Sequence, residues 1–176
     1  MSTNAKIDHK SRRYRAYHEA GHCMTAYAVG ARIDFMEVFS EAGGVCRVVR
    51  QADPNIGMLI ATGGFAIEYL LWSASRTVGP DGVALTEKQF IDVTMNNASD
   101  DKQNYFSGNH ADADGVWPKE MDEEFIRRGK NVVANQLRQY MDVIETLALR
   151  LDQANKLSGT EVEQILADHG ITLNAQ

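Results

Sequence analysis

The sequence predicts a mainly α fold with one small β hairpin. Three observations carry that expectation. Apolar residues recur at helical spacing in long stretches, most clearly from Tyr17 to Ala28 and from Phe125 to Leu151. Helix-start signals stand at Ser11, Asp53-Pro54, Thr86-Glu-Lys-Gln89 and Ser158-Gly-Thr-Glu161. One pair of short β-prone runs, Ile33–Phe39 and Val45–Arg50, falls between them, joined by Ser-Glu-Ala-Gly-Gly.

In chain order, residues 1–10 read as a flexible tail, residues 11–170 as a single domain, and residues 171–176 as a second tail. Ser11 caps a helix that stops at Gly30, with Tyr17, Ala20, Gly21, Met24 and Ala28 towards the core. Gly21 inside that helix costs about 1 kcal/mol against Ala, which suggests a closely approaching neighbour. The hairpin follows, and its edge is suited to an extended peptide or to covering the core. Asp53-Pro54 starts a helix to about Trp72 that is apolar nearly all round and should be buried. Residues 76–83 form a Gly/Pro loop. The Thr86 capping box opens a helix with Phe90, Thr94, Asn97 and Asp101 on one face. A polar loop spans 105–117. A long helix runs from Pro118 to about Ala154, with a break near Gly129 and a stripe of Phe125, Val133, Leu137, Tyr140, Ile144, Leu147 and Leu151. Ser158 caps a last helix that ends near Gly170.

Composition narrows the function classes. Apolar content of 44% and charged content of 24% are those of an ordinary globular domain. A net charge of −6 argues against nucleic acid as a partner. The basic run Lys10-Ser-Arg-Arg-Tyr-Arg15 is expected to solvate the start of the first helix rather than grip phosphate. Met1 to Arg15 contains no apolar signal-peptide core. The most apolar stretch, Ile56 to Trp72, contains Glu68 and a Gly-Gly pair, and reads as short of the ~20 clean apolar residues of a membrane span. Cys23 and Cys46 do not make a disulfide framework, so a cytoplasmic location is expected. No G-x-x-x-x-G-K-[ST] sequence provides an ATPase.

The chemistry concentrates in Tyr17-His-Glu-Ala-Gly-His22. Residues four apart share a helix face, so His18 and His22 can both aim an imidazole at one metal ion. Glu19 lies beside them, placed to take a proton from water. This is the H-E-x-x-H signature of zinc hydrolases, with zinc as the expected cofactor. Catalytic zinc commonly takes three protein ligands. The third here must come from later in the chain, because no histidine follows His22 at the His-x-x-Gly-x-x-His spacing of metzincins. The candidates are Glu68, Asp100, Asp101, His110 and Asp112. Glu68 sits in an apolar helix, where a carboxylate is costly unless it is paired or coordinating. It is a ligand, or the acceptor for an imidazole's free N–H, or it points outward beside Trp72. Of the adjacent Asp100 and Asp101, about 100° apart on a helix, only one can be the ligand. Asp112-Ala-Asp114-Gly lacks the glycine an EF-hand loop needs, because Trp117 occupies that position.

Four segments together resemble the peptidase domain of FtsH-type AAA+ zinc metalloproteases. Ala16-Tyr-His-Glu-Ala-Gly-His22 is similar to that family's zinc helix, and the hairpin with Gly43-Gly44 to the segment after it. Gly63-Gly-Phe-Ala-Ile-Glu68 resembles a Gly-Gly-Arg-Ala-Ala-Glu run, with Phe65 in place of Arg. Asn97-Ala-Ser-Asp-Asp-Lys-Gln103 resembles a Gly-Ala-Ser-Asn-Asp-Leu-Gln run, with Asn97 in place of Gly. Residues 147–166 look like the closing helices. The resemblance implies a helical zincin-like peptidase domain over 11–170. It implies that zinc is held by His18, His22 and Asp101, that Glu19 acts as the catalytic base, and that Glu68 orients a ligand. It further implies a peptide or unfolded protein as substrate. The membrane anchor and ATPase ring usual in the family are not visible here, so the resemblance implies a stand-alone relative. An unfoldase would then be either absent or supplied in trans as a partner, and a homo-oligomer is compatible with the family's hexamers. Two other functions fit the same residues: a narrow regulatory protease for one partner, and a non-catalytic peptide-binding or assembly domain that keeps the fold.

Overall fold

Helix α1 (Arg12–Ala28) is the axis around which the chain packs, in a computed structural model that describes residues 5–49 and 53–171. The Ser11 side chain accepts from Tyr14 N–H, and Gly30 beyond the C-terminus takes φ +80°, as the sequence leads one to expect. Eleven of the 17 residues of α1 are buried. The helix is enclosed by α2 (Pro54–Ala61), α3 (Gly63–Ser73), α8 (Met141–Ala154) and the strands β2 (Ile33–Val38) and β3 (Gly44–Val48).

Two backbones touch where α1 crosses α3. A Cβ on Gly21 would lie 2.3 Å from the Gly63 carbonyl oxygen, and one on Gly63 would lie 2.6 Å from that of Gly21. This is the close approach that a glycine in mid-helix suggested. It brings the face of α3 that carries Glu68 onto the face of α1 that carries the histidines.

The apolar run 54–72 is two helices rather than one. They are separated at Thr62, whose hydroxyl donates to the Leu59 carbonyl at 2.9 Å. α3 is buried over most of its length, whereas in α2 only Ala61 is buried. The expected burial therefore holds for the second half alone. Pro54–Ser73, longer than the run Ile56 to Trp72, reaches the length and apolarity of a membrane-crossing segment by composition alone, contrary to the expectation that it falls short.

β2 pairs antiparallel with β3, Met36 opposite Cys46, and this is the expected hairpin; Arg50 at its expected end lies outside the described residues. A third strand, β5 (Lys156–Ser158), pairs with the other side of β2, with Leu157 opposite Met36. It was not foreseen, because three residues carry no readable alternation. Among the described residues, the outer edge of β3 has no strand partner.

Ile7 and Asp8 form β1, parallel to β4 (Thr77–Val78), and Ile7 is buried. The expected tail over 1–10 and the expected loop over 76–83 thus both contribute to a short sheet, held by backbone hydrogen bonds such as Ile7 N–H to the Arg76 carbonyl. Residues 1–4 and 172–176 of the expected tails lie outside the described residues.

α4 (Glu87–Asn97) opens with the predicted capping box of Thr86 and Gln89. The helix expected to carry both Phe90 and Asp101 breaks at Ala98, and Asp101 lies on α5 (Ser99–Phe106). α5 also takes Tyr105 and Phe106 out of the expected loop. The long C-terminal helix is segmented: α6 (Lys119–Arg128), a π-helical turn over Gly129–Val133, α7 (Ala134–Leu137), a 3₁₀ turn and α8. The break falls where Gly129 suggested it, against Phe65, whose ring a Cβ at 129 would meet at 2.4 Å. Apart from half-buried Tyr140, the predicted stripe is buried. α9 (Gly159–Asp168) carries the predicted Ser158–Glu161 capping box. A second apolar cluster of Phe65, Phe90, Tyr105 and Phe125 joins α3 to α4, α5 and α6. Lys102 on α5, nearly fully buried, donates to Asp122 on α6 at 2.8 Å and fixes the helix next to Asp101.

Candidate metal centre

His18 and His22 point from one face of α1 into a cleft of about 1060 Å³. Asp101 reaches the same point from α5. Its Oδ2 is 3.1 Å from His18 Nε2 and its Oδ1 is 3.2 Å from His22 Nε2, while the two Nε2 atoms are 3.0 Å apart. All three ligand atoms lie within 4.8 Å of one another, a group able to hold a metal ion. Each imidazole faces a different oxygen of the Asp101 carboxylate, and one donor atom from each residue is close enough to the others for a single ion to reach all three.

The far nitrogen of each ring is fixed by a separate acceptor. His18 Nδ1 donates to Glu68 Oε1 at 2.9 Å, and His22 Nδ1 donates to the Ile60 carbonyl at 2.7 Å. With Nδ1 held as the donor, Nε2 is the nitrogen that each ring turns to the cleft, and it offers a lone pair once its proton is lost. The break at Thr62 matters here. In an unbroken helix the Ile60 carbonyl would serve the N–H four residues on, at Gly64. Gly64 itself is required by His18, since a Cβ there would lie 2.3 Å from the ring.

Glu19 is buried beside the ligand group, and among the described residues its carboxylate has neither a hydrogen-bond nor an ion-pair partner. It lies against the edge strand, where a Cβ on Gly44 would approach its Oε1 to 2.7 Å. Burial pushes the Glu19 carboxyl above its ordinary range, and the two imidazoles only partly offset this. Burial alone would lower His22, but the Asp101 carboxylate outweighs it and lifts the imidazole to about 9. His18 is likewise raised well above 6.5, burial being overcome by Glu68 and Asp101. Burial would raise Asp101, yet the neighbouring imidazoles hold it well below the usual carboxylate range.

The structure therefore brings together His18, Glu19, His22, Glu68 and Asp101. Asp100 lines the cleft but stands outside the ligand group. His110 and Asp112 lie on the loop after α5, where Asp112 Oδ1 accepts from Asp114 N–H and Val116 N–H and closes a turn. The Ile60 carbonyl, Gly44 and Gly64 escaped sequence reasoning. For the carbonyl no signal exists, because any residue type supplies one; for the two glycines the available signal is that each stands in a Gly-Gly pair. No protein-family model matches the chain, and no curated protein matches it.

Proposed function

We propose that the chain is a zinc metallopeptidase that hydrolyses peptide bonds. The observation that carries this reading is the convergence of His18, His22 and Asp101 at 3.0–3.2 Å beside an unpartnered, buried Glu19. Two imidazoles and one carboxylate are a donor set that zinc accepts, with a fourth position left for water. When bound, zinc supplies Lewis acidity, making water nucleophilic near neutral pH and polarising a carbonyl.

The chain's own residues do the rest. Glu68 and the Ile60 carbonyl hold the imidazoles with Nε2 inward. The Glu19 carboxylate receives the proton of the attacking water and passes it to the leaving amine nitrogen. Its raised pKa brings it closer to the working pH, which suits both transfers. The edge of β3, unpaired among the described residues, passes beside Glu19 and can align an extended peptide through backbone hydrogen bonds. The four-segment likeness to FtsH-type peptidase domains supports the same assignment. With it come two proposed partners, an unfoldase acting in trans and further copies of the chain.

The test is reconstitution. The purified chain is expected to cut an unfolded protein such as reduced, alkylated lactalbumin, to stop after chelation, and to regain activity with one equivalent of zinc. Cleavage that persists after complete removal of metal would contradict the reading.

A further inference from the structure

The basic run 10–15 contains two kinds of cation. Arg12 Nε lies 3.6 Å from an Asp152 carboxylate oxygen and Arg13 Nη2 lies 3.9 Å from Glu145, both on α8. Lys10 and Arg15 have no carboxylate within ion-pair distance among the described residues, and both line the cleft of the candidate metal centre. Arg15 is nevertheless held in place. Its Nη1 donates to the Lys10 carbonyl at 3.2 Å and its Nη2 to the Phe39 carbonyl at 3.4 Å, bridging the start of α1 to the end of β2. Its buried Nε makes no hydrogen bond among the described residues, as is also true of Arg12 and Arg13 Nε. Backbone carbonyls position a guanidinium without cancelling its charge, and a guanidinium has five N–H donors to satisfy. The charge also stands in the first turn of a helix that has no acidic residue there, where the macrodipole adds to the positive potential.

We propose that Arg15, assisted by Lys10, is the specificity-determining subsite for a carboxylate on the peptide substrate; this rests on the peptidase reading above. Arg15 lies three residues before His18 on the same helix face, about 4.5 Å along the axis, and its side chain leans further towards the N-terminus. An extended peptide advances about 3.3 Å per residue, so the recognised carboxylate sits within about three residues of the bond that is cut. A chain of net charge −6 repels acidic peptides in general. A fixed cation at one end of the cleft turns that repulsion into selection for a correctly placed acidic group.

The experiment uses zinc-loaded Glu19→Gln chain, so that binding is read without turnover. Fluorescein-labelled decapeptides of alanine, valine and serine carry either one glutamate or one glutamine at successive positions, each with a free or an amidated C-terminus. Anisotropy is expected to show at least one carboxylate peptide binding about tenfold tighter than its neutral twin. The difference should shrink with added salt, vanish in Arg15→Gln, and return in part in Arg15→Lys. All variants should hold the same zinc. Preference for internal glutamate identifies an acidic side chain as the ligand, and preference confined to the free C-terminus identifies the terminal carboxylate. Equal binding of charged and neutral peptides, or a preference that survives Arg15→Gln, overturns the proposal. A preference that depends on Arg15 in a chain whose wild type cuts nothing would uphold the subsite and remove the peptidase reading.

Discussion

At the scale of single residues, the proposed centre depends on which atoms would face a bound ion. Asp100 and Asp101 are neighbours of identical chemistry, but only the Asp101 carboxylate lies within 3.2 Å of the imidazoles. Asp101→Ala is expected to abolish tight zinc binding while Asp100→Ala retains it, as read by native mass spectrometry. Glu68→Gln should weaken zinc by 10–100-fold, since it replaces the carboxylate that fixes the His18 ring. Titration follows from the same contacts. In metal-free protein His22 is raised from about 6.5 in the unfolded chain to about 9. The stability it contributes is fully present below about pH 6.5 and lost as pH rises towards 9. The raised Glu19 acts in the same direction. Asp101, being lowered, keeps its contribution over that window and loses it only in acid. The urea midpoint of chelator-treated protein should therefore fall between pH 6.5 and 9. Zinc affinity should rise over that range, with at least one proton released per ion, measurable by calorimetry in buffers of different ionisation enthalpy. A midpoint that rises with pH in the metal-free chain would contradict this electrostatic picture.

At the scale of elements, the α1–α3 crossing sets the geometry. Gly21→Ala gains helix propensity of about 1 kcal/mol, yet its methyl would stand 2.3 Å from the Gly63 carbonyl oxygen. The helices must separate, at a cost of about 1–3 kcal/mol that offsets the gain, and Glu68 moves away from His18. Gly21→Ala should thus lower the unfolding midpoint and weaken zinc together; a more stable variant with unchanged zinc affinity would show that the crossing is loose. The elements also show what the sequence makes legible. The capping boxes at Thr86 and Ser158 are local hydrogen bonds between residues three apart, and local signals survive in a sequence. The two histidines are equally local, one turn apart. β1, β4 and β5 are two or three residues long and exist because tertiary contacts bring their backbones together, so no periodicity announces them. Gly129 marked a break but not its π-helical form, and the Phe65 ring that packs against it comes from another helix. The ring acceptor from Ile60 is a backbone atom and depends on a helix break that the apolar run concealed.

At the scale of the whole molecule, the candidate centre ties α1, α3 and α5 together, with Glu68 50 residues and Asp101 about 80 residues along the chain from His18. The core that supports them is divided between a cluster around α1 and an aromatic cluster under α4 to α6. The ligands come from both sides of that division, so an ion would clamp the two halves. Because zinc would bind the folded chain in preference to the unfolded one, saturation at 100 times the dissociation constant should add about 2.7 kcal/mol of stability. The central claim is that this chain holds one catalytic zinc and that Glu19 serves the chemistry rather than the metal. The most direct measurement determines zinc content and cleavage of an unfolded protein on the same preparations of wild type and Glu19→Gln. The account predicts one zinc per chain in both, cleavage by the wild type, and a rate at least about 10²-fold lower in Glu19→Gln. Equal cleavage by the two proteins, or no zinc in either after supplementation, would contradict it.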